Sequence, residues 1–372
     1  MVMDYSFRPL SRANENSFNT IRLLAALQVV YFHVFAHLHI NVAILTELLQ
    51  QEPGVPIFFA LSGCLVLDSC IRARSVRGYL LHRAARIYPA LLLNIAILEV
   101  LMWLTGGINF SVVSPAQVVG YEAAYVATAS QPIAMLMANA PAIVGASRFF
   151  PFYPSGVLWT LTVELTFYCV VPLLMPFLRS RIILTIVILT ISAASIFYIS
   201  IVGVSAASAG PMIISVSTIP YFWMFAVGML FRIWLPTKRS AIVGAVLLMA
   251  ALLIIARQRG DTWPEWRDFP PFLTSLQMIV VGLLALCIGT TALLKNRWLV
   301  ENDVSYGVYL WHMLVVAILL GFGLDGKRLL LPLVVGLSLF AGWLSWLVEK
   351  RAIGAVKAFL DTKPVPQAMT PD

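Results

Sequence analysis

The stretch Asn19-Thr-Ile-Arg-Leu-Leu-Ala-Ala-Leu-Gln-Val-Val-Tyr-Phe-His33 carries two ionisable side chains, Arg22 and His33, through an otherwise apolar run. Their eleven-residue separation is about three turns at ~3.6 residues per turn, which puts both on one helix face roughly 16 Å apart along the axis. Ionisable groups inside a membrane helix are costly and turn toward a protein interior or a wet cavity. The pair therefore predicts a membrane-spanning helix with a functional site on it.

The rest of the chain agrees with that setting. Of its 372 residues 60% are hydrophobic and only 11% charged, with a mean hydropathy of +0.89, against about 25% charged residues in soluble domains. Apolar runs that approach the ~20 residues needed for a crossing lie near 18–38, 54–71, 87–105, 157–178, 182–202, 213–231, 240–256, 274–292, 304–321 and 329–348. The expected fold is all-α: a polytopic integral membrane protein with about ten transmembrane helices in one bundle. Residues 18–351 form its membrane domain, between a cytoplasmic N-terminal segment, 1–17, and a cytoplasmic tail, 352–372. The first run is too long for a signal-peptide core and lacks a small-residue cleavage site, so it is expected to stay as a helix. Residues 112–146 are moderately apolar but contain Pro115, Pro132 and Pro141, and they read as an extramembrane or interfacial loop.

The net charge of +8 does not point to nucleic acid, because the basic residues sit in short loops between apolar runs. With the N-terminus inside, only Arg148, Arg257, Arg259, Arg267, Lys327 and Arg328 fall outside, whereas all others except Arg22 lie on the inner side. This asymmetry supports ten crossings and two cytoplasmic termini together. Cys64, Cys70, Cys169 and Cys287 have no metal-type spacing and read as reduced packing residues.

Orientation converts position into depth. His33 lies roughly 21 Å into the first span, and Glu164 roughly 10 Å below the outer face of a ~30 Å core. The two depths agree, so the imidazole and the carboxylate are predicted to approach as a base and its orienting partner. His37, four residues after His33, shares its face but finds no third ligand nearby, and no metal is expected. His312 lies about 12 Å inward from Val304, where it either lines the cavity or bonds across helices. Five arginines, Arg72, Arg74, Arg77, Arg83 and Arg86, occupy the loop before the third run. Arg83 and Arg86 share a helix face at their three-residue spacing, and their guanidinium forks suit phosphate. They imply an anionic ligand in the cytosol.

Five segments together resemble the acyltransferase 3 family of membrane O-acyltransferases. They are Ile21-Arg-Leu-Leu-Ala-Ala-Leu to His33, Phe58-Phe-Ala-Leu-Ser-Gly63, Arg83-Ala-Ala-Arg-Ile-Tyr-Pro89, Trp159-Thr-Leu-Thr-Val-Glu-Leu-Thr-Phe-Tyr168 and Ser305-Tyr-Gly-Val-Tyr-Leu-Trp-His312. The resemblance spans nearly the whole chain. It implies transfer of an acyl group, usually acetyl, from cytosolic acetyl-CoA to a hydroxyl of a carbohydrate or glycolipid at the outer face of a bacterial inner membrane, with no permanently bound cofactor. The family's arginine and histidine motif falls on Arg22 and His33, its paired-arginine motif on Arg83 and Arg86, and its acid on Glu164. Leu165 stands where the family commonly has a second Glu, and Asp303 and Val304 stand where it often has Gly.

In the combined picture, Arg22, Arg83 and Arg86 hold the CoA phosphates. The pantetheine arm carries the thioester to His33, which acts as general base or takes the acyl group itself. Ser62, Trp159 and Tyr306 are unranked donors for the developing oxyanion. A secondary transporter would also suit a midplane His and a buried acid, but the sequence lacks inverted repeats. Trp263 and Trp266 in the outer loops are suited to stacking on sugars or to anchoring at the interface.

Overall fold

A computed structural model describes residues 7–10, 16–40, 54–73, 75–202, 209–259 and 272–361. Arg74, Trp263, Trp266 and Arg267, named above, lie outside the described residues. Within them the regular structure is helical, and extended pairing is confined to a single antiparallel bridge between Ile108 and Val144. The helices are α1 (Phe18–Leu38), α2 (Gly54–Arg72), α3 (Val76–Leu104), α4 (Pro115–Thr128), α5 (Gln131–Met137), α6 (Trp159–Val170), α7 (Arg181–Val202), α8 (Ala209–Ser215), α9 (Phe222–Ile233), α10 (Lys238–Arg259), α11 (Phe272–Gly289), α12 (Arg297–Glu301), α13 (Ser305–Gly321) and α14 (Leu330–Asp361). A 3-10 segment, Val171–Arg179, extends α6.

Seven stretches among the described residues are long and apolar enough to cross a membrane. They are α1, α2, α3, Gly156–Arg179, Arg181–Ile201 of α7, Lys238–Ile255 of α10, and α14. The apolar helices α9, Ser275–Gly289 of α11, and α13 are shorter. The protein is thus a polytopic helical membrane protein. Leu104, Ile186, Phe197 and Leu253 among others show exposed side chains along these helices, as lipid-facing surfaces require.

The arginine-bearing segment before the third run is helix rather than loop from Val76 onward. The Ser75 hydroxyl accepts from the Gly78 N–H at 3.0 Å, capping α3, and the helix then continues through Pro89. Residues 112–146 also differ from the expected loop. Ser114 and Gln117 form a reciprocal capping box with Pro115 in the first turn of α4, and Ser130 caps α5 with Pro132 in its first turn. These prolines start helices, where the missing N–H costs nothing. The bridge from Ile108 to Val144 closes the hairpin at the Leu104 end of α3, while the Tyr88 hydroxyl donates to the Ala127 carbonyl near its tip, at 3.4 Å. Tyr88 lies sixteen residues before Leu104, about 24 Å along the axis, so the hairpin dips back along α3. Beyond residue 351, the expected end of the membrane domain, α14 continues to Asp361.

α2 and α9 pack backbone to backbone. A Cβ on Gly63 would collide with the Phe225 backbone and one on Gly228 with the Ala60 carbonyl, the small-residue contact that membrane helices favour. Asp68 of α2 clamps the pair by accepting from Arg232 Nε of α9 at 2.8 Å, and its other oxygen meets Arg72 at 2.6 Å. Similarly, Gly307 of α13 meets the Gly342 backbone of α14. These contacts set the spacing of the helices that carry the site.

Candidate active site

Four charged side chains from four parts of the chain meet in one knot. Arg22 Nη1 of α1 and Arg86 Nη2 of α3 both reach Oδ2 of Asp303, at 2.5 and 2.7 Å, and Arg86 Nη1 reaches Oε2 of Glu349 in α14 at 2.7 Å. Asp303 precedes α13, where its Oδ1 accepts from the Ser305 N–H and hydroxyl at 3.4 and 2.6 Å. Burial pushes the Asp303 carboxyl up. Arg22 and Arg86, helped by Ser305, outweigh that and hold it below its ordinary value. Two cations and two carboxylates compensate one another here, so burial does not leave an isolated charge.

Further along α1, His33 meets His312 of α13. His312 Nδ1 lies 2.7 Å from the Tyr309 carbonyl, His33 Nδ1 lies 2.9 Å from the Val29 carbonyl, and His312 Nε2 lies 3.2 Å from His33 Nδ1. A carbonyl only accepts, so in the neutral rings both Nδ1 atoms carry the proton. His312 Nε2 then accepts a share of the His33 Nδ1–H, and the remaining lone pair of His33 is on Nε2. That is the arrangement of a base oriented through its other nitrogen. His37 stacks parallel to His33 with centroids 6.0 Å apart, and no group of three potential metal ligands occurs among the described residues.

Glu164 takes a different place from the one expected. Its Oε1 accepts from the Ser62 hydroxyl at 2.7 Å and from the Tyr168 hydroxyl at 2.6 Å, tying α2 to α6. The Val29 carbonyl and His312 orient His33. Glu164 instead joins Arg22, Phe58, Thr160, Tyr306 and Tyr309 around a narrow cavity of ≈ 30 Å³. Tyr309 connects the two regions, since its ring borders that cavity while its carbonyl holds His312.

The three arginines expected around one anion are divided. Arg22 and Arg86 share Asp303, whereas Arg83 lines a separate cavity on the Tyr168 side of α6. Of the expected oxyanion donors, Ser62 gives its hydrogen to Glu164 and Tyr306 gives its own to the Ile87 carbonyl at 3.1 Å. Trp159 packs against Tyr221, with ring centroids 5.4 Å apart. Glu349, Tyr168 and Tyr309 have no role among the sequence expectations, and Asp303 enters them only as a departure from glycine. Glu349 did carry a signal: an acid that follows the apolar run Leu344-Ser-Trp-Leu-Val348.

The sequence model of a family described as an acyltransferase domain matches residues 15–349. Nodulation protein 10 of Rhizobium leguminosarum bv. viciae is 32% identical over 364 residues, which cover 94% of this chain and 91% of that protein. An O-acetyl transferase of Shigella phage Sf6 is 25% identical over 354 residues, 90% of this chain and 95% of that protein. No solved structure matches the chain.

Proposed function

The chain belongs to the acyltransferase 3 family and is a membrane acyltransferase, and we propose that it moves an acetyl group from cytosolic acetyl-CoA to a carbohydrate hydroxyl at the outer face of a bacterial plasma membrane. Membership in the family argues against the transporter alternative. The O-acetyl transferase name of one relative supports acetyl as the group and oxygen as the acceptor atom. The inward bias of arginine and lysine supports ten crossings, with the three shorter apolar helices included, and both termini in the cytoplasm.

The observation that carries the mechanism is the His33–His312 pair. His33 Nε2 takes the acceptor hydroxyl proton as the oxygen attacks the thioester carbonyl. His33 Nδ1–H stays bonded to the Val29 carbonyl and His312 Nε2 throughout, which steadies the imidazolium. Collapse of the tetrahedral adduct breaks the carbon–sulfur bond, and the imidazolium returns the proton to the departing CoA thiolate. His312 is a positioning residue in this scheme. Arg22, the member of the charge knot that borders the inner cavity, meets the donor, and Arg86 with Asp303 holds Arg22 in place.

The test is turnover by purified protein, read as free thiol released from acetyl-CoA in the presence of an oligosaccharide acceptor. His33→Ala, eluting as wild type does on size exclusion, is expected to lose ~10²-fold or more of the rate. Wild-type turnover in that variant would end the proposal.

A further inference from the structure

A second cavity is larger than the one that Arg22 borders. It measures ≈ 720 Å³ and lies between α3, α6, the α4–α5 hairpin and the segment after α8, within the ~300–1,000 Å³ typical of ligand sites. Its walls offer a polar ligand almost nothing. The hydroxyls of Tyr88, Thr128, Thr162, Thr166, Tyr168 and Ser217 each give their hydrogen to a protein oxygen, at 2.6 to 3.4 Å. A sugar or a pantetheine amide would enter at the cost of its own hydrogen bonds.

Arg83 is the exception. Its Nη2 donates to the Ser69 hydroxyl at 3.3 Å, its guanidinium lies over the Tyr168 ring 5.7 Å from the centroid, and its buried Nε has no hydrogen-bond partner. Arg22, Arg72, Arg86 and Arg232 each have a carboxylate, whereas no carboxylate lines this cavity. Arg83 lies seven residues into α3, about 10 Å from its start, and helical side chains lean toward the N-terminus. Its contact with Ser69 sets the guanidinium near the Arg72 end of α2, at headgroup rather than midplane depth. Leu80, Met137 and Ile213 give the cavity an apolar, exposed rim, through which it opens sideways into the bilayer.

We propose that this cavity holds one acyl chain of an anionic phospholipid from the surrounding bilayer, with the phosphate on Arg83. The chain satisfies a wall that has only carbon to offer, and the phosphate supplies the missing counter-charge. Because Tyr168 both borders this cavity and bonds Glu164, the lipid braces the far side of the active-site wall.

The test uses the full chain in nanodiscs of mixed phosphatidylcholine and phosphatidylglycerol, with a trace of either lipid bearing a photoactivatable chain, and maps the labelled peptides. The phosphatidylglycerol probe is expected to label α3, α5 and α6. Arg83→Gln should lower that labelling about tenfold or more, the scale of a lost charge-assisted hydrogen bond. Ala84→Trp, which narrows the cavity and leaves Arg83 in place, should lower it as well. Equal labelling by the phosphatidylcholine probe, or labelling indifferent to both substitutions, would overturn the proposal. Displacement of the probe by excess CoA would also overturn it, since the cavity would then belong to the acyl donor. The comparison of the two probes on the wild-type protein decides even if a variant fails to fold.

Discussion

Replacing Asp303 with Asn isolates the charge at the centre of the knot, because the amide oxygen can still accept from the Ser305 N–H and hydroxyl. What goes is the anion shared by Arg22 and Arg86 at 2.5 and 2.7 Å. Asp303 is 11% exposed, and its partners are 22% and 14% exposed, so solvent screens the pairs only in part. Removing one partner of a buried ion pair costs ~3–5 kcal/mol, and this partial exposure favours the lower end, about 3 kcal/mol. Asp303→Ala also loses the bonds to Ser305, a further ~1 kcal/mol on the scale of a helix cap. Thermal unfolding in detergent should therefore rank wild type above Asp303→Asn above Asp303→Ala. The pH dependence has a definite sign. The folded carboxyl is held below its ordinary value, so its contribution is complete above the unfolded pKa of ~3.9 and is lost as pH falls through the depressed folded value. The gap between wild type and Asp303→Asn should therefore close on strong acidification, as pH falls through the depressed value. Equal midpoints at neutral pH, or a gap that widens with acid, would refute the assignment of Asp303 as the counter-ion of both arginines.

Two other perturbations separate positioning from packing. His312→Leu removes the acceptor facing His33 Nδ1 and should lower kcat ~10–100-fold with little change in KM for acetyl-CoA, while His312→Gln, whose amide oxygen can accept the same hydrogen, should recover part of the loss in the thiol-release assay. Gly228→Ala drives a methyl into the Ala60 carbonyl and should cost ~1–3 kcal/mol by overpacking. Gly354→Ala in α14 meets nothing within 4 Å and should be neutral or stabilising by up to ~1 kcal/mol, a contrast that detergent-phase melting reads directly.

Hydropathy made the membrane helices legible, because the bilayer imposes apolar length on each span regardless of its neighbours. The same-face spacing of Arg22 and His33 was legible for a related reason, since helical periodicity is local. Two features escaped for different reasons. Pro115 and Pro132 read as breakers, although Ser114 with Gln117 is a capping box in plain sequence, and prolines in a first turn begin a helix. Glu164 was placed by depth, and depth fixes height in the bundle but not azimuth. Its neighbours proved to be Ser62 and Tyr168, decided by how α2 and α6 pack. The same gap hid the role of Asp303, whose partner Arg22 lies 281 positions earlier.

That distance has a consequence for biosynthesis. Arg22 meets Asp303 across 281 residues, His33 meets His312 across 279, and Arg86 meets Glu349 across 263. α1 carries a cation whose counter-ion is translated 281 residues later. Until α13 and α14 are inserted, Arg22 and Arg86 stand in the membrane without Asp303 and Glu349, a costly state. A nascent chain arrested before residue 303 therefore carries in α1 a charge without its counter-ion.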